Sequence, residues 1–173
     1  MNQSTDPYYV MGTGSRSLRT DANAQVIFHT IEHYVLMLKN THPNLVLISG
    51  MAEGFDEAIA KIAIFHKIPF IAAIPNAGYG EYYWGKNSLL KKDRMSEFRD
   101  ITTKAIEVVF VCDTLYINGV HSNFIRNQWM VDKCDLALVY QANSSGTRDA
   151  LTRLKIAKKP FEIYPFVEQL TLA

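Results

Sequence analysis

Short apolar runs alternate along this chain with longer stretches in which apolar residues recur every three or four positions. The runs at 8–11, 44–48, 70–74, 108–112, 135–140 and 161–164 are four to six residues long. Their near-continuous apolar character is that of parallel strands buried on both faces. Between them, Ile27, Ile31, Tyr34 and Leu38 lay a helical stripe over 21–41, and Ile59, Ile62 and Ala63 do so over 56–66. Further helices are predicted over 89–105 and 122–133, and from Arg148 onward, with an irregular piece after Asp113. Strands alternating with helices at this spacing predict an α/β domain: a doubly wound, mainly parallel sheet with helices on both faces. No linker or low-complexity tract divides residues 1–173, so a single domain is expected.

Three polar turns follow predicted strands. They are Gly12-Thr-Gly-Ser-Arg16, Ser49-Gly-Met-Ala-Glu-Gly54 and Ser144-Ser-Gly-Thr147. In a doubly wound sheet, ligands bind outside the carboxyl ends of the strands, where these turns fall. Glycine admits close backbone approach, Ser and Thr cap helices, and a helix N-terminus attracts anions. Each turn taken alone also reads as an ordinary capped connection.

Composition narrows the function classes. The formal net charge is +1, which gives no global electrostatic case for nucleic acid, so nucleic acid is not an expected partner. Cys112 and Cys134 have no metal or redox spacing and read as reduced thiols. The first nine residues carry neither a basic run nor an apolar stretch, and no apolar run approaches the roughly 18 residues of a membrane span. A cytoplasmic protein is expected. His29 and His33 share a helix face but have no third ligand nearby, so neither metal nor cofactor is expected.

Taken together, the three turns resemble those of the SLOG superfamily. These Rossmann-like proteins include the Lonely Guy phosphoribohydrolases, DprA-type recombination mediators and the small YpsA-like proteins of bacteria and phages. VMGTGSR resembles the first-strand turn of the family, and SGMAEGFDEAIAKIA its S-G-M-A-x-G-x-D turn. RNQWMVDKCDLALVYQANSSGT is especially close to the R-N-x-W-M-V-D, strand, G-G-T pattern of small YpsA-like members. The resemblance covers roughly Val10 to Pro160 and implies a Rossmann-like fold with a nucleotide-like ligand at the glycine edge. Expected ligand-binding residues are Gly12, Gly14, Ser15, Arg16, Ser49, Gly50, Met51, Gly54, Asp56, Trp84, Arg126, Asn127, Ser144, Ser145, Gly146 and Thr147. A homodimer or higher homo-oligomer is also implied.

Against the Lonely Guy pattern R-K-x-x-M, Arg126 falls on the catalytic arginine, with Met130 one turn later. The resemblance breaks where that family carries its catalytic glutamate, because the position here is Ala150. An N-glycosidic cleavage needs a carboxylate, and Asp149, Glu53 and Asp56 are the substitutes at hand. Asp149 reads foremost as a first-turn residue complementing the helix dipole. The loop 76–88, rich in Tyr79, Tyr82, Tyr83 and Trp84 between Gly78, Gly80 and Gly85, reads as a base-stacking lid or an interface. The leading expectation is a module that binds or senses a nucleotide or nucleotide-derived phosphate. The alternative is a nucleoside 5′-monophosphate N-glycosidase or ribosyl-transferring enzyme. DprA-like single-stranded DNA binding comes third, with Lys91, Lys92 and Arg94 as a small basic cluster read as a solvated helix face.

Overall fold

The computed structural model describes residues 6–140 and 143–166. The chain runs β1 (Tyr8–Gly14), a 3₁₀ turn (Arg16–Thr20), α1 (Ala24–Thr41), β2 (Leu45–Ser49), α2 (Phe55–Phe65) and β3 (Phe70–Ile74). A π-helical turn (Glu81–Lys86) precedes α3 (Met95–Thr103), β4 (Glu107–Phe110) and a hairpin of β5 (Tyr116–Ile117) and β6 (Val120–His121). Then come α4 (Ser122–Lys133), β7 (Leu136–Tyr140), α5 (Ser145–Ile156) and β8 (Phe161–Ile163).

Six strands form one parallel sheet in the order β4-β3-β2-β1-β7-β8. From β1 the chain winds outward through β2, β3 and β4, then returns past its starting strand to β7 and β8. The strand order therefore reverses between β1 and β7. Alternate residues of the inner strands feed two cores, as a period of two dictates. Val10, Leu47, Ala72 and Leu138 pack with Ile31 of α1 and Ile59 of α2. Met11, Ile48, Ala137 and Val139 pack with Met130 and Val131 of α4 and Leu154 of α5. The expected doubly wound α/β architecture is present, with helices on both faces. Among the described residues, no helix is long and apolar enough to cross a membrane.

Three local expectations are corrected. The first glycine turn is largely strand: Gly12 and Gly14 continue β1 on the face of Val10. A Cβ at Gly12 would strike Ile59 and one at Gly14 would strike Phe55, so their bareness seats α2 on the sheet. The helix predicted from Leu89 starts only at Met95, because Arg94 is drawn into the interior. The irregular piece after Asp113 is a hairpin whose turn residues, Asn118 and Gly119, both take positive φ, 51° and 78°. Asn-Gly is the pair that such a turn demands.

Candidate functional site

A cleft of about 290 Å³ opens at the point where the strand order reverses. Its walls come from the end of β1 (Thr13, Gly14), Ser15 and Arg16, the second turn (Ala52, Asp56) and the aromatic loop (Tyr79, Tyr83). Asn123, Arg126 and Asn127 of α4 and Ser144, Ser145, Gly146 and Thr147 at the start of α5 complete it. Turns remote in sequence thus share one rim, as the strand register requires: Gly12 lies beside Ser49, and Gly14 beside Tyr140.

The α5 wall has the make-up of an anion site. Ser144 caps the helix, its Oγ accepting the N–H of Thr147 at 3.2 Å. Ser145 and Gly146 sit in the first turn, where N–H groups have no intrahelical acceptor and the dipole is positive. A Cβ added at Gly146 would meet no atom within 4 Å, so the space beside that backbone is open.

Opposite stands Arg126, buried on α4. Its Nη1 donates to the Gly50 carbonyl and its Nε to Asn127 Oδ1 at 3.2 Å; neither bond uses Nη2. Asn127 Nδ2 donates in turn to the Gly146 carbonyl at 3.1 Å, tying α4 to the α5 turn. The floor is Asp56, whose Oδ2 lies 3.9 Å from Arg126 Nη1. Burial pushes the Asp56 carboxyl up to about 6, against the pull of Arg126 and of hydrogen bonds from the N–H groups of Ala52, Gly14 and Asp56 itself. Among the described residues that line the cleft, Asp56 is the one carboxylate.

Several expected ligand contacts are instead the framework beneath the cleft. Ser49 is buried, donating to the Asp56 carbonyl at 2.7 Å and accepting the Met51 N–H at 3.1 Å. Gly12, Gly50, Met51 and Gly54 do not line the cleft. At Gly50, a Cβ would collide with the Arg126 guanidinium and the Asp56 carboxylate. Gly54 has φ 89° and lies against the backbone of Ser15 and Arg16. The N–H of Ser15 is occupied by the Tyr140 carbonyl, and its Oγ by Ser17. The first turn therefore offers an anion fewer donors than its sequence suggests.

Trp84 is no stacking platform. It is fully buried, its indole N–H donating to the Met51 carbonyl at 2.8 Å, so the aromatic loop is anchored there. Glu53 is likewise bound into the framework and does not line the cleft. It is buried and accepts from Arg94 at 2.7 Å, Arg16 at 2.9 Å, Ser88 at 2.6 Å and the Leu89 N–H at 2.8 Å. Asp149 lies outside the cleft lining, held by Asn127 at 3.0 Å and by Arg153 at 2.8 Å, and Ala150 is buried on the inner face of α5. Arg94, read as part of a solvated face, is 2% exposed. Sequence reasoning missed Asn123. Its position three residues before Arg126 on one helix puts both on the same face, a spacing that would have found it.

No family model and no curated protein matches the sequence. Solved structures do match. DNA processing protein A (DprA) from Streptococcus pneumoniae superposes with a TM-score of 0.61 at 19% identity, over 91% of this chain and 50% of that one. DprA from Helicobacter pylori, described for its single-stranded DNA binding mode, gives 0.60 at 19% identity, over 91% of this chain and 65% of that one. The molybdenum cofactor binding protein of the phototrophic bacterium Rippkaea orientalis gives 0.52 at 11% identity, over 92% and 77%. The chain thus spans half to two thirds of the length of the DprA structures it matches. The expectation that nucleic acid is not a partner is withdrawn: net charge cannot set it aside when a protein with this fold binds single-stranded DNA. What these likenesses show is the fold, a Rossmann-like α/β domain of the kind found in DprA, as the three motifs led one to expect.

Proposed function

We propose that this protein binds a nucleotide or nucleotide-derived phosphate compound in the cleft between α4 and the first turn of α5, as a binding or sensing module. The observation that carries the reading is the pairing of Arg126 with an open helix N-terminus across one cleft, beside a glycine whose missing side chain leaves room. A guanidinium and backbone N–H groups converging from two sides are suited to phosphate oxygens. The volume is near the lower end of small-ligand pockets, matching a phosphate and its sugar. Calorimetric titration with nucleoside mono- and diphosphates, cyclic nucleotides and ribose 5-phosphate tests it. Binding by at least one member, weakened roughly 10- to 100-fold in Arg126→Ala, is the expected result, from the worth of a charge-assisted hydrogen bond. Absence of heat from every member overturns the reading.

The fold likeness to DprA favours a second reading, in which the phosphate belongs to single-stranded DNA. Fluorescence anisotropy with a labelled oligonucleotide at two salt concentrations separates the two, since backbone binding weakens steeply with salt. A hydrolytic role rests on Asp56: a carboxyl raised to about 6 beside a guanidinium has the properties of an acid–base group. Release of free base from a nucleotide, abolished in Asp56→Asn, is its test.

A further inference from the structure

The cleft does not end at α4. It runs on into a second hollow of about 590 Å³ beneath the β5–β6 hairpin, and the two share Tyr83, Asn123 and Ser145 as common walls. The second hollow differs in character. Tyr116 and His121 meet edge to face with centroids 5.1 Å apart, His121 and Phe124 at 6.4 Å, and Val120 adds an aliphatic edge. Tyr83 forms part of the opposite wall, with the Arg16 guanidinium 5.1 Å from its ring centre. Tyr116 is 57% exposed and Val120 41%, although each belongs to a paired strand. At the seam stands Asn123. Its Nδ2 donates to the Tyr83 hydroxyl at 3.2 Å, while its Oδ1 is buried without a hydrogen-bond partner among the described residues.

We infer that the hairpin groove is the base-binding compartment of the site, taking the planar heterocycle of a nucleotide whose phosphate lies between Arg126 and the α5 turn. A flat aromatic group gains by stacking on Tyr83 or Tyr116. Asn123 lines both hollows, so its side chain stands where the sugar between base and phosphate would pass. The hairpin turns on Asn118-Gly119 and is tied to α4 by the Ser122 N–H, which donates to the Leu115 carbonyl at 2.8 Å. The groove is therefore anchored to the helix that carries Arg126. The inference rests on the phosphate reading above. The same nucleotide unit, base plus phosphate, is presented both by a free nucleotide and by a residue of a single strand.

The test compares ribose 5-phosphate, nucleoside monophosphates and a short single-stranded oligonucleotide on wild type, Tyr116→Ala and Asn123→Ala. Wild type is expected to hold a nucleoside monophosphate more tightly than ribose 5-phosphate, by about tenfold or more for one stacked base. Tyr116→Ala should erase most of that margin and leave ribose 5-phosphate binding unchanged. Loss on the oligonucleotide alone assigns the groove to strand binding, and loss on the free nucleotide assigns it to the small ligand. If base-bearing and base-free ligands bind equally and neither variant matters, the base compartment is wrong while the phosphate cleft stands. If nothing binds at all, the phosphate reading has failed first. Tyr116 is exposed, so its variant is expected to fold; an unchanged circular dichroism melt checks this.

Discussion

Glu53 and Asp56 stand three residues apart where the second turn enters α2, both buried, and their side-chain partners differ. Glu53 belongs to a saturated network. Arg94 meets it at 2.7 Å and Glu57 at 2.6 Å, Lys61 joins Glu57 and Glu97 at 2.7 Å each, and the Trp84 ring lies 4.5 Å from the Arg94 guanidinium carbon. Burial pushes the Glu53 carboxyl up, but the donors around it win and hold it below its ordinary value. Asp56 faces its cation at 3.9 Å, and there burial wins. A buried charge with every oxygen satisfied is architecture: here it straps the aromatic loop to α2. Asp56 accepts backbone N–H groups but has its guanidinium only at 3.9 Å, and it borders the cleft.

The strongest way to break this comparison is Arg94→Met. Removing one member of a buried ionic cluster strands the others, at a cost of about 3–5 kcal/mol. The urea midpoint should fall accordingly, while the fraction that remains folded keeps its ligand affinity. An unchanged midpoint would mean that the network is not what holds the loop.

The pH dependence of stability sharpens the contrast through its sign. The folded Asp56 carboxyl titrates near 6, above its ordinary value of 3.8. Between those values the folded state keeps a proton that the unfolded chain has lost, so ionising Asp56 costs stability as pH rises through that window. A shift of about two pH units corresponds to roughly 3 kcal/mol. Asp56→Asn removes this term, so its stability relative to wild type should climb from pH 4 to pH 6 and then level off. Glu53, held below its usual 4.5, contributes the other way: its stabilisation is present above that pH and is lost as pH falls through its depressed value. Glu53→Gln should therefore lose most, relative to wild type, at neutral pH. Parallel pH profiles for the two variants would erase the distinction.

The inner strands and the three turns were legible in the sequence because β2, β3 and β7 are buried on both faces, and period and turn chemistry are local; β4, expected to be buried too, is a largely exposed edge. That the turns share one rim followed from the topology. What stayed hidden was which atoms of each turn remain free. Glu53 and Asp56 are equivalent as letters, and only packing decides that Arg94, from a segment read as surface, reaches in to one of them. Trp84 misled for the same reason, since glycine-flanked aromatics suit a lid and an anchor equally. The hairpin carries a turn signal in Asn118-Gly119, but the strands on either side are two residues each, too short for an alternating pattern to show.

The smallest effect expected is also the one that best separates scaffold from site, because it uses one residue type twice. Gly14 and Gly146 both line the cleft. A Cβ at Gly14 would drive into Phe55 and Tyr140, so Gly14→Ala overpacks the core and should cost about 1–3 kcal/mol of stability. A Cβ at Gly146 meets nothing, and alanine is favoured over glycine in a helix by up to about 1 kcal/mol. Gly146→Ala should therefore melt at the same temperature as wild type or slightly above it, yet bind a phosphate ligand several-fold more weakly, its methyl group standing where the anion must approach the backbone. Stability and affinity then move in opposite directions at one position. Packing alone cannot produce that outcome, and a Gly146→Ala protein of unchanged affinity would place the ligand somewhere other than the α5 turn.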